Sequence, residues 1–317
     1  MTMSRRVLVT GGAGFIASHV ADLYIEDGWE VTVLDDLSTG RRKNVPAAAE
    51  FVECGVNDTR ARKLLEEGGF TVLNHHAAQM DVRVSVTDPL FDERVNIAGL
   101  INLLEGARRG GVRRVVFASS GGVVYGEGDA LPHREKALKL PVSPYGVSKL
   151  ASEYYLAMYA QLHGLEVVPL RYANVYGPRQ NPHGEAGVVA IFCSRILRQE
   201  PLTVYGDGTQ TRDYVFVGDV ARANLAATTG PLGRLRSIDD VAFNVGTGVE
   251  TSVVELARTI LNAAGANVPI EHVDARPGEL QRSAVDPGKL EAQWSWRPEV
   301  GLAEGLQRTY DWIATDQ

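Results

Sequence analysis

Two hydrophobic patterns alternate along the first half of the chain. Short β-branched runs, VLVT (7–10), WEVTVLDD (29–36), FTVLNH (70–75), RRVVFASS (113–120) and LEVVPLRY (165–172), read as strands. Between them, GFIASHVADLYIEDG (14–28), NIAGLINLLEGARRG (96–110) and SKLASEYYLAMYAQLHG (148–164) repeat apolar residues at helical spacing. Strands alternating with helices predict an α/β fold, a doubly wound parallel sheet covered on both faces. The alternation runs to about residue 172. Then comes NVYGPRQNPHGEAG (174–187), rich in Gly, Pro and Asn, followed by mixed short elements with turns at YGDG (205–208) and RPGE (276–279). The expected division is a domain over 1–173 and a smaller mixed α/β region over 174–317, with segments near 215–245 returning to the sheet.

Composition narrows the classes. The chain has 317 residues, 44% hydrophobic and 22% charged, an ordinary balance for a soluble protein. A net charge of −7 leaves no basic excess to neutralise phosphates, so no nucleic-acid partner is expected. Arg41, Arg42 and Lys43 read as a solvated loop. Cys54 and Cys193 lack metal-ligand spacing and are too few for a disulfide framework, which suits a reducing cytoplasm; no metal is expected. The start, MTMSRRVLVTGG, does not read as a signal peptide, and no apolar stretch is long enough to span a bilayer.

The first chemistry lies in the turn after VLVT. Gly11, Gly14 and Ala17 follow a strand, open a helix and precede Asp35 at the end of the next strand. Glycines let backbone approach a pyrophosphate, and the helix N-terminus favours its charge. Asp35 would accept hydrogen bonds from the adenosine ribose hydroxyls and repel a 2′-phosphate, so NAD is favoured over NADP. The bland reading is a glycine turn in a fold that binds nothing.

The second is Tyr145 and Lys149, four residues apart and therefore on one helix face. An ammonium group lowers a phenol pKa, and a tyrosine so tuned can take a proton from an alcohol while hydride leaves the same carbon. The spacing alone is common by chance; its weight comes from the dinucleotide cradle in the same chain.

With these motifs in view, the chain resembles the extended short-chain dehydrogenase/reductases, within them the NAD-dependent nucleotide-sugar epimerases, and is most similar to the UDP-glucose/UDP-galactose 4-epimerases. The segments that carry the resemblance are TGGAGFIASH (10–19), DDLSTGRRKNV (35–45), HHAAQMDVRVSV (75–86), SPYGVSK (143–149), RYANVYGPRQNPHGEAGVVAIF (171–192), TRDYVFVGDV (211–220), FNVGTG (243–248), RPGEL (276–280) and WRPEVGLAEGL (296–306), in order over nearly the whole chain. The resemblance implies a Rossmann-type fold and a 4-epimerisation of a UDP-hexose: oxidation at C4, rotation of the 4-keto sugar, and reduction from its other face, with NAD regenerated each cycle. Uronate and N-acetylhexosamine substrates remain open.

Carried over by motif, Gly11, Gly14, Phe15 and Ile16 would hold the pyrophosphate. Asp35, Asp36, Leu37, Ser38, Thr39, Gly40 and Val56 would surround the adenosine, and Ala77, Ala78, Gln79 and Asn96 would line the cofactor. Tyr145, Lys149 and Ala173 would meet the nicotinamide half. Asn174, Val188, Tyr205, Arg212, Arg276 and Glu279 would bind the sugar nucleotide, Arg212 and Arg276 at the diphosphate. The family also implies a homodimer built on helices around 92–109 and 148–163, whose rows Leu100, Leu103 and Leu104 and Leu156 and Tyr159 fit either a partner or the core.

Several positions depart from the family. Relatives place the catalytic Ser or Thr four residues before the Tyr of V-Y-G, where this chain has Gly121. Ser120 is the expected hydroxyl, touching substrate together with Tyr145, and Ser119 the second candidate. The dehydratases carry Asp-Glu just before V-Y-G and the decarboxylases a Glu at the second of those positions; Gly122 and Val123 here fit plain epimerisation. Gly55 stands where an Asp usually reads the adenine, and Ser283 where some strict hexose epimerases are bulky, which points to tolerance of an N-acetyl group at C2. Two other readings stay open. One is an NAD(P)-dependent epimerase or reductase of a TDP- or GDP-sugar. The other is a catalytically silent NAD-binding protein.

Overall fold

Seven strands, β1 (Arg6–Thr10), β2 (Glu30–Asp35), β3 (Glu50–Glu53), β4 (Val72–His75), β5 (Arg114–Ser120), β6 (Glu166–Tyr172) and β7 (Phe243–Val245), form a parallel sheet in the order β7-β6-β5-β4-β1-β2-β3. This is a Rossmann-like α/β fold. The computed structural model describes residues 5–128, 130–181, 187–275 and 280–316.

The strands are apolar on both faces because helices cover both. Leu8, Leu34, Leu73, Val115 and Phe117 point to one side, under the helices Thr59–Glu67, α2 (Gly99–Arg109) and α3 (Pro144–His163). Val7, Val9, Val31, Val33 and Val72 point to the other, where α1 (Phe15–Glu26) packs beside the helix Val217–Thr229. The strand order reverses direction between β1 and β4, and a crevice opens at the carboxyl ends of such a pair.

Three details differ from the sequence reading. β3 is absent from the predicted strands because it is an edge strand of four residues, with half-buried Phe51 and Val52 between glutamates, so it carries no apolar run. The helix expected from residue 148 begins at Pro144. Ser143 caps it by accepting the Gly146 N–H at 3.1 Å, and proline suits the first helical position, so SPYG is a helix start. The helix expected from residue 96 is α2, preceded by a wider π-helical turn over Arg94–Ala98.

The rows Leu100, Leu103, Leu104, Leu156 and Tyr159 lie in the chain's own core, each 5% exposed or less. They are core rows, since they back directly onto the sheet. Exposed apolar residues on nearby surfaces include Leu90 and Phe91, and Val147, Tyr154, Tyr155 and Leu162 of α3.

The segment after 173 is mostly a second packing unit. The helices Val188–Leu197, Val253–Ala263 and Leu302–Thr315 enclose an apolar cluster with Leu202, Val204, Tyr214 and Phe216. Thr211–Arg212 pairs with Thr251–Ser252 and with Arg282–Ser283. Phe243–Val245 returns to the main sheet as β7. Phe15 and Ile16, at the start of α1, pack against the second cluster. Among the described residues no helix is long and apolar enough to cross a membrane.

Candidate active site

A cavity of about 210 Å³ runs along the carboxyl ends of the strands. At one end Gly11, Gly14, Phe15 and Ile16 line it, then Asp35, Asp36, Ser38, Thr39 and Val56; at the other end are Ala77, Ala78, Ser119, Tyr145 and Lys149.

The cradle is built by close backbone approach. Gly11 has φ +70°, and a Cβ there would lie 2.7 Å from the Ala77 amide nitrogen. Its own N–H donates to the Leu34 carbonyl at 2.8 Å and its carbonyl accepts from Gly14 at 2.9 Å. The turn is therefore locked to β2 and to the segment after β4 before any ligand arrives.

Asp35 is buried at the end of β2. Its carboxylate accepts the Ala13 N–H at 3.0 Å and the Leu37 N–H at 2.8 Å, and burial holds its pKa above the ordinary value. Leu37 has φ +57°, a left-handed conformation that the Asp35 bond supports. Asp36 is exposed and accepts from Ser38 N and Oγ at 3.0 and 2.6 Å. Gly40 packs where a Cβ would lie 2.9 Å from the Asp35 carboxylate and from Ala13.

Gln79 and Asn96 hold each other. Asn96 accepts the Gln79 N–H and donates to the Gln79 carbonyl and to Asp92, at 2.9–3.0 Å. The Gln79 side chain donates to Asp81 O and Asp92. These two residues shape the Ala77–Gln79 wall with side chains already engaged.

Lys149 is buried, and its ammonium donates to the Ala118 carbonyl at 2.9 Å. It lies 5.6 Å from the Tyr145 ring centre and 4.8 Å from that of Phe117. Burial pulls its pKa down to about 8, against the opposing pull of the Asp92 and Glu153 charges. His75 and His76 sit behind it. Burial, and next the Lys149 charge, push both to about 3, so both are neutral. His75 pairs with Thr10 Oγ1 at 2.7 Å and His76 with the Tyr172 hydroxyl at 3.0 Å.

The two serines part ways. Ser119 faces α3 and donates to Glu153 at 2.6 Å. Ser120 precedes a short helix, Gly121–Val124, and makes no capping bond. A Cβ on Gly122 would lie 3.9 Å from Ser120 Oγ and 4.0 Å from Asn174 Oδ1, so both groups border the space beside that glycine. Gly121 leaves no room for a side chain: its Cβ would lie 2.7 Å from Val285 and 3.2 Å from the Arg171 carbonyl.

On the second unit's side, Ala173 N–H donates to Val245 O and Asn174 N–H to Asp213 O, both at 2.9 Å. Arg212 lies on a strand beside Ser283 and donates to the Thr211 carbonyl at 2.8 Å. Tyr205 ends the strand Leu202–Tyr205, and Val188 begins its helix. Arg276 and Glu279 lie outside the described residues. Sequence reasoning missed Ala118, whose carbonyl holds Lys149, and the Tyr172–His76 pair; neither carries a local motif.

The chain belongs to the NAD dependent epimerase/dehydratase family, whose model matches residues 7–246. Among individual proteins, it is 46% identical over 313 residues to the UDP-glucose 4-epimerase of Mycolicibacterium smegmatis, covering 97% of this chain and 98% of that one. It superimposes on the UDP-glucose 4-epimerase of Thermotoga maritima, solved with UDP-glucose, with a TM-score of 0.94 at 40% identity, covering 98% and 99% of the two chains. The UDP-glucose 4-epimerase of Thermus thermophilus, solved with NAD, gives a TM-score of 0.90 at 46% identity over 98% and 99%.

Proposed function

We propose that this protein is a UDP-hexose 4-epimerase, an isomerase that uses NAD and passes through a 4-keto sugar. The observation that carries this reading is the presence in one cavity of the glycine cradle and the Tyr145/Lys149 pair.

The cavity suits a dinucleotide. Gly11 and Gly14 leave bare backbone at the α1 N-terminus for the pyrophosphate. Asp35 and Asp36, with Leu37, Ser38, Thr39, Gly40 and Val56, frame the adenosine, where the acidic pair disfavours a 2′-phosphate. Ala77, Ala78 and Ala173 leave flat room for the nicotinamide. When bound, NAD supplies the hydride acceptor and donor.

The chain's own residues handle the proton and the orientation. With the Lys149 ammonium 5.6 Å from its ring centre, Tyr145 takes the proton from the C4 hydroxyl and later returns it. Ser120 donates a hydrogen bond to the C4 oxygen. Asn174, Val188, Tyr205 and Arg212, with Arg276 and Glu279, hold the UDP group and let the sugar turn. The absence of a carboxylate at Gly122 and Val123 leaves no acid or base for water loss, which favours epimerisation over dehydration. The exposed stripe Val147, Tyr154 and Leu162, with Leu90 and Phe91, supports a homodimer, and the two buried free cysteines suit a cytoplasmic location.

The test is incubation of purified protein with UDP-glucose, UDP-GlcNAc and UDP-glucuronate separately, followed by anomeric proton NMR. A C4 epimer is expected without added cofactor, and Tyr145→Phe should lower kcat by about 10²–10⁴-fold. No epimer from any of the three, with NAD supplied, would defeat the reading.

A further inference from the structure

Behind the cavity lies an ion pair fully removed from solvent. Glu153 and Arg171 are both 0% exposed, and Arg171 Nη2 lies 2.6 Å from Glu153 Oε2. Every N–H of the Arg171 guanidinium is placed. Nε donates to Glu153, Nη1 to the Tyr125 hydroxyl and the Glu135 carbonyl at 2.9 Å each, and Nη2 to Glu153 and to Asp239 at 3.0 Å. A lysine has no such planar fork. A buried ion pair adds little to stability compared with apolar residues of the same size. Its geometry, however, ties together three elements, each of which also carries a site residue.

Glu153 lies four residues after Lys149 and eight after Tyr145, so the three share one face of α3. Arg171 and Ser119 are register partners on β6 and β5 and converge on the same carboxylate. Ser119 immediately precedes Ser120, and Arg171 precedes Ala173 and Asn174 by two and three residues. Alternation along β5 turns the Ser120 hydroxyl away from Glu153, to the side where Gly122 lies.

We propose that Ser119, Glu153 and Arg171 form a positioning clamp that fixes the end of β5, and with it Ser120, against the helix face carrying Tyr145 and Lys149. Ser119 borders the cavity, and its hydroxyl, committed to Glu153, makes it a positioning residue. This rests on the epimerase reading and deepens it. Catalysis that transfers a proton and holds the same oxygen from two elements is sensitive to their spacing, where a displacement of about 1 Å costs about a hundredfold.

The experiment compares Ser119→Ala, Glu153→Gln, the double variant and Ser120→Ala, all purified as full chains. Each is measured for kcat and KM on the best UDP-sugar, bound NAD, melting temperature, and hydrogen exchange of the peptide over residues 117–125. Ser119→Ala leaves Arg171 and Glu153 paired and removes one hydroxyl. It should lower kcat about tenfold to a hundredfold, leave KM, bound NAD and melting temperature close to wild type, and speed exchange in that peptide. The double variant should be no worse in kcat than the poorer single, because both act through one clamp.

Unchanged kcat and unchanged exchange in Ser119→Ala would overturn the clamp. So would a loss of kcat accompanied by raised KM, lost NAD or a large fall in melting temperature. Where Glu153→Gln fails to fold, Ser119→Ala decides alone. If the wild type epimerises none of the sugars, the epimerase reading fails, and the exchange measurement still decides the clamp. If Ser119→Ala is inactive while Ser120→Ala is fully active, the reacting hydroxyl belongs to Ser119 and the clamp is wrong.

Discussion

The Lys149 ammonium donates to the Ala118 carbonyl at 2.9 Å, so the charge beside Tyr145 is fixed by backbone from the strand that ends in Ser119 and Ser120. Burial brings its pKa to about 8, with Asp92 and Glu153 opposing and neutral His75 and His76 facing it. A protonated ammonium lowers the pKa of a neighbouring phenol, and the neutral amine does not. The sign follows: kcat holds below the Lys149 pKa and falls as pH rises through about 8. A pH–rate profile from about 6 to about 10 checks it. Lys149→Met should remove that limb and lower kcat by about 10²-fold or more.

The cradle allows a sharper structural test. Gly11 combines φ +70° with a virtual Cβ 2.7 Å from Ala77 N. Gly11→Ala must strain both the left-handed turn and the backbone contact to the segment after β4. The expected cost is more than about 1 kcal/mol of stability, with weakened NAD binding. Thermal melting with and without NAD reads both; an unchanged melting curve with full NAD content would refute the cradle's dependence on this glycine.

The cradle and the Tyr145/Lys149 pair are legible in the sequence because each is local: a glycine spacing between a strand and a helix, and two side chains one helical turn apart. What escapes is set by contacts distant in sequence or by short elements. Glu153 meets Arg171 across 18 residues and Arg171 meets Asp239 across 68, and nothing near any of them announces it. β7 has three residues, too few for a periodicity of its own, though the chain's texture leads one to expect a return near 215–245. SPYG carries turn composition, yet Ser143 and Pro144 are good residues for a helix start, and the cap decides. Gln79 and Asn96 read from sequence as cofactor-lining residues. Their bonds to one another show a wall built before the cofactor arrives.

His75 should make the protein acid-sensitive. It is 1% exposed, bonded to Thr10, and held at about 3 against an ordinary 6.5. Only the unfolded chain takes up that proton between these values. Stability from this residue is fully present above about pH 6.5 and is lost as pH falls toward 3. Between about pH 7 and about pH 5.5 the wild type should lose about 1 kcal/mol more than His75→Gln in urea titrations. Equal losses would place the His75 pKa near its ordinary value.

The last prediction concerns the sugar. Ser283 is 7% exposed and stands in register with Arg212 on the adjoining strand, beside the group expected at the diphosphate. On the reading that Ser283 faces the sugar's C2 position, a tyrosine there would fill the room for an N-acetyl group. Ser283→Tyr should therefore lower turnover of UDP-GlcNAc relative to UDP-glucose by about tenfold or more, since discrimination by pocket size is worth about 10–200-fold. The comparison is kcat/KM for both substrates in wild type and variant, because a general loss of folding lowers both together and leaves the ratio alone. A ratio unchanged by the substitution would mean that Ser283 does not face the C2 position. Tolerance of N-acetyl sugars would then have to come from another wall of the pocket.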